Sequence, residues 1–68
     1  MNEDALNTSV RKFLKTVGVT AQREIEKAVR DAVSSGRLKS SEPLPAKAAI
    51  KVEGLGLAFE IDGKIELE

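Results

Sequence analysis

The apolar residues of this 68-residue chain change their spacing once, at Ala46. Before that point they recur every three to four residues, as on one face of an α-helix; after it they alternate, as on one face of a β-strand. Such a chain folds as a helical half followed by a strand half. Each half then carries one apolar face that must be covered.

In the strand half, Ala48, Ile50 and Val52 alternate with Lys47, Ala49, Lys51 and Glu53, and Leu57, Phe59 and Ile61 alternate with Ala58, Glu60 and Asp62. A two-residue loop at Gly54-Leu55 has glycine at the first central position, as a type II′ turn requires. It sets Val52 opposite Leu57, Ile50 opposite Phe59, Ala48 opposite Ile61 and Lys47 opposite Asp62, so apolar meets apolar throughout. Asp62-Gly63 reads as a second turn. A two-residue loop there would set Ile61 against Lys64 and mix the faces. The expected connection is therefore a three-residue loop, Ile61-Asp62-Gly63, with Gly63 left-handed in a G1 bulge. Phe59 then faces Ile65, Leu57 faces Leu67 and Glu60 faces Lys64. The outward face carries Lys47, Lys51, Ala58, Glu60, Lys64 and Glu66, with Ala49 among them.

In the helical half, Leu6, Val10, Phe13, Leu14 and Val17 form one stripe and Ala21, Ile25, Ala28, Val29, Ala32 and Val33 a second. Asn2 is placed to cap the first stripe, with Glu3 and Asp4 in the first turn, where the helix dipole favours carboxylates. Gly18 fits the position just past a helix end and Thr20 the next cap, and Gly36 closes the second stripe. Leu38 is expected to fold back onto that helix. The prediction is two helices, about 3–17 and 21–35, a polar linker at 39–45 holding Pro43 and Pro45, and strands at about 46–53, 56–60 and 64–68. The expected fold is a single small α+β domain over 1–68, with two N-terminal helices packed on one face of a three-stranded antiparallel β-meander, ααβββ.

Composition bounds the chemistry. The chain has 41% hydrophobic residues and no Cys or His, so no disulfide and no ordinary zinc site props up a small core. A homodimer would relieve that shortage. Eleven basic residues balance eleven acidic ones, although residues 1–39 hold eight basic and five acidic and residues 40–68 three and six. The acidic opening Met1-Asn2-Glu3-Asp4 is unlike a signal peptide, and no apolar run approaches the 18 or so residues of a membrane span. The expectation is a cytoplasmic protein without membrane contact. Leu67-Glu68 matches a cloning scar as well as a native end.

Without His, Cys, Tyr or Trp, the chain lacks the commonest general base, both common zinc ligands and the best stacking side chains. The hydroxyls of Ser9, Ser34, Ser35, Ser40 and Ser41 have only lysines to serve as a base. The reading is that the chain is not an enzyme and has no catalytic residue, cofactor or metal. Glu26 with Arg30 and Lys27 with Asp31 are ordinary i,i+4 pairs of a solvated helix surface. Gly54-Leu55-Gly56 lacks the further glycines, the Lys-Ser/Thr pair and the following helix of a phosphate loop.

Two functions remain. Helix, Gly turn, helix and hairpin is the order of winged helix-turn-helix domains, and Arg23, Lys27 and Arg30, with Arg11 and Lys15, would form a cationic stripe for nucleic acid. Glu24, Glu26 and Asp31 interrupt that stripe, and aligning Gly18 with the turn glycine of the motif puts Glu24 and Lys27 at core positions. A neutral chain also gains little from counterion release. The preferred reading is a protein-interaction or assembly module with an unknown protein partner, for which Leu44, Ala49, Leu55 and Ala58 are candidate contacts.

Residues 1–7, Arg11 through Thr20, Gln22 through Val29, then Gly36, Leu38, Leu44-Pro45-Ala46-Lys47 and Gly54-Leu55-Gly56-Leu57 together resemble a short bacterial family catalogued as domain of unknown function 6494. The resemblance spans nearly the whole chain. It implies a small bacterial cytoplasmic protein and assigns no residue a role.

Overall fold

A computed structural model describes residues 1–38 and 42–68. The described elements are one helix, α1 (Glu3–Ser34), and two strands, β1 (Leu44–Val52) and β2 (Leu57–Ile65). The chain divides into two compact units, Met1–Leu38 and Lys39–Glu68. The class remains α+β. Its content differs from the expected two helices and three strands.

The ends of the helical unit follow the sequence. Asn2 lies in extended backbone, and its side-chain oxygen accepts from the Ala5 N–H at 3.0 Å while its carbonyl accepts from Leu6 at 3.0 Å. The first satisfies one of the donors a helix start leaves unpaired, the second is the first bond of the helix, and Glu3 and Asp4 occupy the first turn. At the other end Gly36 adopts φ +77°. Its N–H donates to Val33 at 3.1 Å and the Arg37 N–H to Ala32 at 3.0 Å, the two bonds of a Schellman motif. Leu38 turns back with them: its N–H also reaches the Ala32 carbonyl, at 3.2 Å, and the residue is half-buried.

The middle of the helix corrects the sequence reading. α1 runs unbroken for 32 residues, through Gly18-Val19-Thr20. Gly18 is not among the glycines with positive φ, so it is not a left-handed helix terminus. The physical reason is phase. Continuing from Val17 to Ala21, Ile25, Ala28 and Ala32 keeps the spacing of Leu6, Val10 and Val17, and the two apparent stripes are one. An internal glycine costs about 1 kcal/mol relative to alanine. Ending one helix and nucleating another sacrifices backbone bonds and fixes several dihedrals for a single new bond, which is the larger cost.

The strand unit is an antiparallel hairpin. Val52 pairs with Leu57, Ile50 with Phe59, Ala48 with Ile61 and Lys47 with Asp62, the register that the alternation predicts. Between the strands Gly54 has φ +88° and Leu55 is not in the positive-φ region, the signs of a type II′ start. Gly56 also turns left-handed, at φ +62°. Glu53 through Gly56 form the turn and the ladder closes one pair earlier, at Val52 and Leu57.

The second predicted turn is absent, and with it the third strand. β2 passes straight through Asp62-Gly63, with Gly63 opposite Ala46, Lys64 opposite Pro45 and Ile65 opposite Leu44. Gly63 does not adopt positive φ, so there is no G1 bulge. Lys64 and Ile65 end β2, and Glu66–Glu68 lie outside any strand. Again the reason is phase: Leu57, Phe59, Ile61, Gly63 and Ile65 are all two apart, and one continuous ladder keeps them on one face. A turn at Gly63 would have removed Ile61 from that face and left Leu44 unpaired.

The proposed linker 39–45 is likewise revised. Its stretch 39–41, with Ser40 and Ser41, lies outside the described residues, while Leu44 and Pro45 already belong to β1. Proline is accommodated there because both strands of a two-stranded sheet are edges.

Candidate functional site

Neither unit holds a core of its own. A single helix and a two-stranded ribbon each present an apolar face that only another element can cover. Among the described residues none is buried. The surfaces with most to offer a partner are therefore these two faces.

On α1 the face is formed by Leu6, Val10, Phe13, Leu14, Val17, Ala21, Ile25, Ala28 and Ala32, spaced to stay within one side of the helix. Phe13 is 51% exposed and Leu14 49%. The stripe spans about 40 Å at the usual rise per residue. On the hairpin, the register collects Leu44, Ala46, Ala48, Ile50 and Val52 from β1 with Leu57, Phe59, Ile61, Gly63 and Ile65 from β2. Phe59 and Ile61 remain 44% and 55% exposed.

The candidate contacts fall in three places. Leu55 stands at the turn, 74% exposed. Ala49 and Ala58 lie on the opposite, polar face of the hairpin, across from Glu60 and Lys51 respectively, and line a shallow depression there. Leu44 sits instead on the apolar face, paired with Ile65, and is half-buried. The structure thus separates Leu44 from the two alanines. The apolar contacts missed by the sequence reading are Leu44 as a strand residue and Ile65 as its partner; the unbroken alternation from Leu57 to Ile65 was the signal for both.

The cationic candidates also separate. Arg11 and Lys15 lie with Lys12 and Thr8 along a shallow groove on the first half of α1. Arg23, Lys27 and Arg30 follow on the same continuous helix, Arg23 and Arg30 opposite the apolar stripe and Lys27 nearer its edge. No turn lies between the groups, so the helix-turn-helix that the winged-helix expectation needs is not formed. Arg30 meets Glu26 at 3.6 Å, and Gln22 donates to the same carboxylate group at 3.1 Å. With the pair's side chains 73% and 48% exposed, this contact contributes at most a few tenths of a kcal/mol. Across the hairpin, Lys47 reaches Glu60 at 3.6 Å and Asp62 at 3.8 Å, tying the polar face together with similarly exposed groups.

No cluster of three or more potential metal ligands occurs among the described residues, and no described helix is long and apolar enough to cross a membrane. The chain presents exposed apolar residues on its helix and on one face of its hairpin. Its sequence matches a family model over residues 1–68, the whole chain. The chain belongs to the family of unknown function DUF6494. No curated protein and no solved structure matches it. Membership in DUF6494 thus supports the sequence resemblance and leaves function to the chemistry of the two faces.

Proposed function

We propose that this member of DUF6494 is a non-enzymatic protein-interaction or assembly module that works through the apolar faces of its helix and hairpin. The observation that carries the reading is that two units, neither with a core, each display a full-length apolar face. Large contiguous apolar surface is the usual mark of a protein contact. An isolated helix owes little of its stability to propensity, and a lone hairpin is marginal in water, so a covered face matters to each. The absence of His, Cys, Tyr and Trp from the sequence agrees with binding rather than catalysis.

Photo-cross-linking tests this directly. A photoreactive phenylalanine analogue replaces Phe13 on the helix stripe or Phe59 on the hairpin face, in cells that make the protein, with Arg23 on the far side of the helix as the control position. Discrete cross-linked protein species from Phe13 or Phe59, and none from Arg23, are the expected result. If neither apolar position yields a discrete protein adduct, the interaction reading fails.

A further inference from the structure

We infer that the apolar stripe of α1 receives a second copy of this chain, its helix running antiparallel and crossing near Gly18. The inference rests on the interaction reading for one premise, that the stripe is a contact surface. It adds the partner and its direction.

The first support is the distribution of side-chain size along the stripe. The half before Gly18 carries Leu6, Val10, Phe13, Leu14 and Val17; the half after it carries Ala21, Ile25, Ala28 and Ala32. Two such helices in parallel register would set Phe13 on Phe13 and Ala28 on Ala28, crowding one end and hollowing the other. Reversal sets Leu6 against Ala32, Val10 against Ala28, Phe13 against Ile25 and Val17 against Ala21. Large then faces small at three of these four levels, which evens the interaxial distance, while Leu14 falls level with Glu24.

The second support is repeat length. Leu6, Val17 and Ala28 are eleven apart, as are Val10, Ala21 and Ala32, and Leu14 and Ile25. An eleven-residue recurrence is about 3.67 residues per turn, near the 3.6 of an undistorted helix, so two straight helices stay in contact over their length. Reversal also opposes the helix dipoles.

The third support is area. Leu6, Val10, Phe13, Leu14 and Ile25 are each 39–51% exposed. Covering them together with Val17 and the alanines removes roughly 400–600 Å² from each copy, or about 800–1,200 Å² in total, which reaches the lower end of a specific interface. A helix of equal length matches the stripe of about 40 Å end to end, whereas strands of nine residues reach only about 30 Å.

Sedimentation equilibrium of the full chain over a wide concentration range should give twice the mass of one chain, dissociating on dilution. Leu14→Glu should weaken association at least tenfold, while Thr8→Glu, on the far side of the helix, leaves it unchanged. Because Leu14→Glu also lowers helix stability, direction is read separately, using the fact that the natural chain has no Cys. Chains carrying Val10→Cys and Ala28→Cys should form the mixed disulfide when oxidised together, and neither should dimerise alone. A strict monomer, a larger oligomer, or a Val10→Cys homodisulfide each overturns the antiparallel pair. A monomer that still yields adducts from Phe13 would leave the interaction reading standing with a different partner.

Discussion

The helical unit and the hairpin each contain glycine that turns the chain and one glycine that does not. In the helical unit Gly36 takes φ +77° and closes the Schellman motif, while Gly18 sits inside α1 with helix on both sides. In the hairpin Gly54 takes φ +88° in the turn, while Gly63 lies in β2 opposite Ala46. The difference is whether the apolar pattern keeps its phase across the glycine. It does so across Gly18 and Gly63. At Gly36 the stripe ends, and between Val52 and Leu57 the alternation must reverse direction. Glycine permits a turn; the neighbouring side chains decide whether one is used.

The largest test of this contrast is Gly18→Pro. In an unbroken helix it removes an internal hydrogen bond and clashes with the preceding turn, costing about 3 kcal/mol or more. Far-UV circular dichroism should show a substantial loss of helix at a given temperature. An unchanged spectrum would mean that the chain already breaks near Gly18.

Gly36→Ala comes next in size. The left-handed conformation there costs a residue with a Cβ about 1–2 kcal/mol, although an added methyl would meet no atom within 4 Å. Thermal unfolding should begin earlier, with fraying at the helix C-terminus visible in amide hydrogen exchange.

Gly63→Ala is the smallest and the sharpest, because its sign separates the two readings of that glycine. In a continuous strand, with open space around an added Cβ, alanine reduces the freedom of the unfolded chain and should stabilise by about 0.5–1 kcal/mol. At a left-handed bulge the same change would destabilise. A lowered unfolding midpoint would therefore contradict the straight course of β2.

Much of the local structure was legible in particular residues. The Asn2 cap, the acidic first turn, the Gly36 terminus and every pairing from Lys47–Asp62 to Val52–Leu57 follow from short-range rules acting on a few side chains. The two errors share a cause. Gly18-Val19-Thr20 and Asp62-Gly63 are strong turn signals when read over three residues, and each is outweighed by apolar phase extending over ten or more. The same local reading placed Leu44 in a linker, because two prolines flank it, although its partner Ile65 lay at the end of the unbroken alternation. At the surface, the sequence identified the exposed Leu55 and the outward Ala49 and Ala58. It could not assign Leu44 to the opposite face without the extra ladder pairs, or separate Arg11 and Lys15 from Arg23, Lys27 and Arg30 without the continuous helix.

By itself, then, the sequence determined the class of each half, the helix ends and the first ladder register, because caps, hydrophobic period and cross-strand pairing act between residues close along the chain. Only the folded structure decided that two stripes are one helix and that two strands take the place of three. That choice compares alternatives differing by a few kcal/mol, in which hydrogen bonds retained across a whole element outweigh the local preference of one glycine.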